Sequence, residues 1–306
     1  MHLFVNASME FRMDVYRSIL ITGGSGMLAH ALADALNARG LTATAVRRAE
    51  CDIADPEDVT RLFEKYNPSL LFNCAAHTGV DLCEDEPDKA NAINGEGPGN
   101  LARLAQKHGT KLVHFSTDFV FDGQSDRPYR PEDQTHPISV YGETKLRGEK
   151  RIRQVDSPDW LIVRTAWLFG RYGNCFPQTM VKLGQAGRPL RVVNDQFGSP
   201  TSTVDLSEAT LELVDRSAGG LFHITNSGIT SWYEFAQTTL REFGVEADLA
   251  PLTTAEWVKL RPKQAKRPLY SVLDGEKYTA LTGKTLRHWT EAMSDYRNDL
   301  QRAQVT

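Results

Sequence analysis

Residues 18–29 read SILITGGSGMLA. A short apolar run stops at two glycines and resumes as a pattern of small and apolar residues. The run SILIT suits a strand buried on both faces, since it shows no polar alternation. Gly23, Gly26 and Ala29 then stand at GxxGxxG spacing. The early glycines let a turn tighten and let a pyrophosphate approach the backbone at a helix N-terminus. The third position asks only for a small side chain, so that helix and sheet pack closely. By itself the pattern is weak, because glycines also punctuate ordinary loops.

The residues that follow decide its meaning. MLAHALADALNARG has Leu and Ala at helical spacing and Gly40 as a C-terminal stop. LTATAV reads as a strand, and DPEDVTRLFEKYNP as a helix with Asp55 as cap and Pro56 in the first position. SLLFNCAA is strand-like, DKANAINGEGPGNLARLAQKHG helical despite its glycines, and KLVHFSTDFVF and LIVRTAWLFG give a fourth and a fifth strand. Strands alternating with helices predict a parallel sheet covered on both faces. The fold class is therefore α/β: a Rossmann-type doubly wound parallel sheet with a smaller, mostly C-terminal substrate-binding lobe. We place the dinucleotide-binding domain at 17–166, completed by about 196–226. The lobe takes 167–195 and 227–306.

Bulk properties narrow the function. A chain of 306 residues with 41% hydrophobic and 24% charged residues has the composition of an ordinary globular protein. A formal charge of −4 offers no broad basic field for nucleic acid or an anionic membrane. The four cysteines form no CxxC pair and read as reduced thiols. The start, MHLFVNASMEFRMDVYRS, carries acidic residues and no continuous apolar run. It reads as a ragged leader, and a cytoplasmic location is the expectation.

A second motif, YGETK at 141–145, puts Tyr141 and Lys145 one helical turn apart on one face. It follows STDF, at the end of a strand that would sit beside a nicotinamide. Hydride delivery to a ketone leaves an alkoxide, which a nearby donor must protonate. A phenol titrates near 10, and an ammonium one turn away would lower that value by favouring phenolate. Thr117 would share the carbonyl oxygen with Tyr141, while Asp118 positions local groups or substrate. The second strand ends in VRRAE rather than in an acidic residue. Arg47 and Arg48 could receive a 2′-phosphate there, which favours NADPH over NADH. Asp52 and Ile53 would bracket the adenine.

The chain resembles the extended short-chain dehydrogenase/reductases and, within them, the dTDP-4-dehydrorhamnose reductases. The resemblance rests on ITGGSGMLA, FNCAAHTGVDLCE, STDFVFDG, YGETKLRGE, RTAWLFG, GNCF, VVNDQFGSPT, LFHITNSGITSWYEFA and RPLYSVL. It implies a triad of Thr117, Tyr141 and Lys145. For the cofactor it implies Gly23, Ser25, Gly26, Met27 and Leu28, then Arg47, Asp52 and Ile53, then Ala75, Ala76 and His77, with Lys145 on the ribose. For the nucleotide sugar it implies Val80, Thr117, Asp118, Trp167, Asn174, Phe176, Gln196 and Arg267. It further implies NAD(P)H reduction of the C4 ketone of dTDP-4-dehydro-6-deoxy-L-mannose. Some similar proteins are magnesium-dependent homodimers, but no compact ligand cluster places Mg2+ in this sequence. Ala29 stands where the pattern has a third glycine. His77, where similar proteins usually have tyrosine, reads as a hydrogen-bonded substitute for that phenol rather than as a change in how nicotinamide or sugar is held.

Two other readings stay open. One is another nucleotide-sugar 4-ketoreductase or epimerase. The other is a non-catalytic partner similar to the regulatory subunit of methionine adenosyltransferase, which the intact triad disfavours. In the second half, Asp205 reads as a helix start, Ser231 and Glu234 as a capping box, and Trp232 and Tyr233 as packing residues.

Overall fold

A computed structural model describes residues 12–157 and 159–305. The leader up to residue 11 lies outside the described residues. Six parallel strands form the central sheet: β1 (Ile19–Thr22), β2 (Ala43–Val46), β3 (Leu70–Asn73), β4 (Lys111–Thr117), β5 (Trp160–Thr165) and, after four strands of the lobe, β10 (Gly220–His223). Their spatial order is β10-β5-β4-β3-β1-β2. Chain direction across the sheet reverses between β1 and β3, where a doubly wound sheet opens a crevice at its carboxyl edge.

Alternation along the strands builds two cores. Ile19 and Ile21 join Val113, Leu161 and Val163 under α1 (Met27–Ala38) and the later helix at Thr203–Asp215. Leu20, Leu71, Leu112 and Ile162 face the other way, under α2 (Pro56–Tyr66) and the helix at Gly97–His108. Asp55 caps α2 as its sequence predicts, accepting from the Glu57 N–H at 2.8 Å. The helical stretch after β3 is broken into α3 (Val80–Asp85), α4 (Pro87–Ala90), a π-helical segment (Asn91–Glu96) and α5 (Gly97–His108).

The next helix, α6 (Val140–Arg153), carries Tyr141 and Lys145 and is capped by Ser139. Two glycines let it lie directly on backbone. A Cβ on Gly142 would stand 2.1 Å from the Phe119 carbonyl oxygen, and one on Gly148 2.2 Å from that of Asn94. Both glycines of YGETKLRGE are therefore required by close approach.

The lobe contains α7 (Phe176–Gln185), α9 (Trp232–Glu242), α10 (Thr254–Leu260) and α12 (Trp289–Val305); α8 (Thr203–Asp215) and α11 (Glu276–Thr282) pack on the sheet domain. Outside the central sheet the strands form three short pairs: β6 (Leu168–Phe169) with β9 (Thr201–Ser202), β7 (Leu190–Val193) with β12 (Leu249–Leu252), and β8 (Phe197–Gly198) with β11 (Thr230–Ser231); β8 and β9 thus join lobe strands although they fall in the 196–226 stretch expected in the sheet domain. Phe169, Phe235, Trp289 and Met293 fill the lobe's core. The Ser231–Glu234 capping box forms. The helix expected to start at Asp205 starts two residues earlier: Ser202 caps α8, and Asp205 lies in its first turn, its carboxylate accepting from Asn226 and Arg287. Strand β4 also ends earlier than its sequence suggests. Thr117 caps a single 3-10 turn over Asp118–Val120, which turns the chain at the sheet edge.

Candidate active site

One cleft of about 940 Å³ opens at the carboxyl edge of the sheet, between sheet and lobe. At one end, Gly23 turns with φ +69°, and a Cβ there would sit 2.6 Å from the Ala75 nitrogen. Helix α1 starts at once, with no side chain capping its first amides and no acidic residue in its first turn. Its N-terminus therefore presents unspent donors to the cleft, as a dinucleotide pyrophosphate requires. Gly23, Ser25, Gly26, Met27, Leu28, Asp52, Ile53, Ala75, Ala76 and His77 all line this part. Arg47 does not. At this end the cleft-lining arginine is Arg48, paired with Asp52 at 2.9 Å and still largely exposed.

The middle of the cleft holds the triad residues, which come from adjacent elements: Thr117 ends β4, and Tyr141 and Lys145 lie on the first turns of α6. Thr117 Oγ1 donates to Asp118 Oδ1 at 2.9 Å and Ser271 Oγ donates to Asp118 Oδ2 at 2.5 Å. Burial still dominates, pushing the Asp118 carboxyl up to about 6. Tyr141 packs against the edge of Phe119, ring centroids 5.5 Å apart.

The electrostatics differ from the sequence expectation. The Tyr141 phenol is raised, not lowered, because burial outweighs the help of the Thr117 hydroxyl beside it. Lys145 turns to the sheet, donating to the Phe115 carbonyl at 2.6 Å. Burial lowers its ammonium to about 8, against the pull of Glu149 and Cys74. Tyr141 thus holds its proton at neutral pH, as a donor to an alkoxide must.

At the far end Val80, Asp118, Trp167, Asn174, Phe176 and Arg267 line the cleft. Arg267 is fixed by Asp81 at 3.0 Å and by the Ala265 carbonyl. Gln196 is buried away from the cleft and donates to Thr254. Sequence reasoning missed two contributors. Trp232, read as a packing residue, lines the cleft and stacks on Trp167 with centroids 3.7 Å apart. Thr165, at the end of β5, turns a buried hydroxyl without a protein partner toward the cleft wall. Both fall inside stretches quoted for the family resemblance, RTAWLFG and LFHITNSGITSWYEFA, but only strand register brings Thr165 opposite Thr117. Trp167 itself has φ +49°, and a Cβ on Gly198 would meet its indole at 2.5 Å. A bulky side chain held in that backbone region needs such an over-determined surrounding. All four cysteines are free thiols.

Residues 17–302 match the family described as the RmlD substrate binding domain. A dTDP-4-dehydrorhamnose reductase of Mycolicibacterium smegmatis is 40% identical over 289 residues, spanning 93% of this chain and 86% of the relative. The chain belongs to the dTDP-4-dehydrorhamnose reductase family. Two solved structures of family members superpose on it closely. The reductase of Clostridium acetobutylicum is 41% identical with a TM-score of 0.88, covering 93% of this chain and 99% of its own. That of Bacillus anthracis, solved in complex with NADP, is 33% identical with a TM-score of 0.88, covering 92% and 99%. The family's sheet, glycine turn and lobe are those described above, within the short-chain dehydrogenase/reductase superfamily, and the fold is an NAD(P)-binding one. Among the described residues no helix is long and apolar enough to cross a membrane, and no group of three or more His, Cys, Asp or Glu side chains could hold a metal ion.

Proposed function

We propose that this chain reduces the C4 ketone of dTDP-4-dehydro-6-deoxy-L-mannose to dTDP-L-rhamnose, using NADPH in preference to NADH. One observation carries the reading: Thr117, Tyr141 and Lys145 share a single cleft with an uncapped glycine-turn helix at one end and Arg267 with Trp167 at the other. When bound, NAD(P)H supplies the hydride. Tyr141, protonated and half-buried at the cleft wall, gives its proton to the oxygen that becomes the C4 hydroxyl. Thr117 orients the carbonyl beside the phenol by turning its hydrogen from Asp118 Oδ1 to the substrate oxygen, and until then Asp118, itself held by Ser271, fixes Thr117. Arg267 would meet the diphosphate, for which a planar fork of donors is suited. Trp167, Trp232 and Phe176 wall in the sugar side and exclude water.

The test is loss of absorbance at 340 nm when the protein and NADPH meet enzymatically prepared dTDP-4-dehydro-6-deoxy-L-mannose, repeated with NADH, with the product sugar identified. Formation of dTDP-L-rhamnose supports the proposal. Oxidation only with a different 4-keto nucleotide sugar moves the substrate, and no oxidation despite cofactor binding removes the reaction.

The preference for NADPH rests on Arg48. We expect Arg48→Ala to lower kcat/KM with NADPH by roughly ten-fold and leave NADH within two-fold, about the worth of one charge-assisted phosphate contact. Equal losses with both cofactors would show that Arg48 does not read the 2′-phosphate.

A further inference from the structure

Beneath the cleft, buried polar side chains run across three neighbouring strands to Lys145. Thr22 Oγ1 donates to Asn73 Oδ1 at 2.7 Å, and the Ala75 backbone N–H donates to the same oxygen at 3.2 Å. Asn73 Nδ2 lies 2.9 Å from His114 Nδ1, and His114 Nε2 lies 3.5 Å from Lys145 Nζ. Thr22, Asn73, His114 and Lys145 are all at most 3% exposed.

The donor and acceptor roles in this chain follow from one group. A backbone N–H can only donate, so the Asn73 atom facing Ala75 is the carboxamide oxygen, and its nitrogen must face the imidazole. That nitrogen also only donates. His114 Nδ1 is therefore bare and accepts. Protonating Nδ1 would set donor against donor, and burial independently keeps the ring neutral, far below its ordinary titration range. The neutral ring must then carry its hydrogen on Nε2, which faces Lys145.

Lys145 Nζ spends one hydrogen on the Phe115 carbonyl. Toward His114, an ammonium would again oppose two donors, whereas a free amine offers its lone pair. The 3.5 Å separation is long for a satisfied bond and suits this opposition. The other ionisable groups acting on Lys145 are Glu149 on its own helix and Cys74 after β3, and both favour the charged form. Asp118, beyond β4, acts on Tyr141.

We propose that His114, locked by Asn73 as the Nε2–H tautomer, is a positioning residue that disfavours the ammonium form of Lys145 and so sets the pH at which Lys145 changes state. This deepens the reductase reading, in which Lys145 belongs to the triad beside Tyr141, and rests on it for its link to catalysis, though its test does not need substrate. In ¹⁵N-imidazole-labelled protein, the long-range nitrogen–proton pattern of His114 should show a protonated Nε2 and a bare Nδ1 between pH 6 and 9. The opposite tautomer would overturn the proposal outright.

The decisive variant is Asn73→Asp, nearly isosteric and out of contact with Lys145. Its carboxylate still accepts from Thr22 and Ala75 but now accepts from His114 Nδ1–H, so that Nε2 becomes an acceptor for the ammonium. The proton affinity of Lys145, read from the ¹³Cε shift of labelled lysine, should rise by roughly ten-fold or more from its value near pH 8. The added charge is controlled by placing Asn73→Asp in a His114→Phe background, where most of that rise should vanish. A rise that persists without the imidazole would reduce the effect to charge alone and sink the proposal. These readouts stand on wild-type and variant protein without turnover, so an absent reductase activity would leave them intact and fail only the reaction assignment.

Discussion

Tyr141→Phe should lower turnover by roughly 10²-fold or more while leaving NADPH affinity within about two-fold. The substitution deletes one oxygen. The ring keeps its edge contact with Phe119, and Gly142 keeps its seat on the Phe119 carbonyl, so the helix start should not move. What is lost is the hydroxyl beside Thr117, which burial keeps protonated through the neutral range. Single-turnover oxidation of NADPH separates this effect from binding, which cofactor fluorescence reports. Near wild-type turnover would mean that another group protonates the alkoxide. The buried Asp118 carboxyl, raised to about 6, would be the next to examine; its contribution should fall as pH rises above that value and the acid form disappears.

Glu149→Gln should be among the most damaging single changes away from the cleft. Glu149 is fully buried and takes Arg164 with both oxygens, at 2.9 and 2.7 Å, while Ser116 donates at 2.5 Å. Arg164 is 1% exposed and lies over the Phe121 ring; its remaining nitrogen faces His223, which burial drops to about 3 and keeps neutral. Removing the carboxylate strands a guanidinium with no counter-charge in the core. Breaking one partner of such a pair costs about 3–5 kcal/mol. Urea unfolding followed by circular dichroism should show that loss. Glu149→Met combined with Arg164→Met should recover most of it, because it removes both charges together. A loss below about 1 kcal/mol for the single variant would show that water reaches Arg164.

Much of this was legible in the sequence, because the decisive signals are local. SILITGGSG specifies a strand, a turn and a helix start within a dozen residues, and YGETK fixes its own one-turn spacing. The misses share a different cause. Arg47 and Arg48 are neighbours, and only the folded chain decides which one lines the cleft. Trp232 carries the helical spacing of a core residue, and its exposure to the cleft depends on Trp167, which lies far off in sequence. The raised phenol of Tyr141 follows from how closely α6 lies on the turn after β4 and on the π-helical segment, a closeness allowed by Gly142 and Gly148 but not quantified by them. Asp205 marks the start of α8 two residues late, because caps and first-turn acceptors draw on the same residue types.

The bare-backbone seats of Gly142 and Gly148 also bear on how the protein can be changed. A helix resting on two carbonyl oxygens cannot slide by a fraction of a turn without collision, so the proton donor is referenced to the backbone of the turn after β4 and of the π-helical segment. The sugar-facing wall hangs from the opposite side, on Trp167, Trp232 and the Arg267 loop. Ser271, four residues past Arg267, joins the two sides through Asp118, so remodelling of that wall for a new sugar can leave the helix seat alone but must keep this one hydrogen bond if the proton donor is not to be retuned.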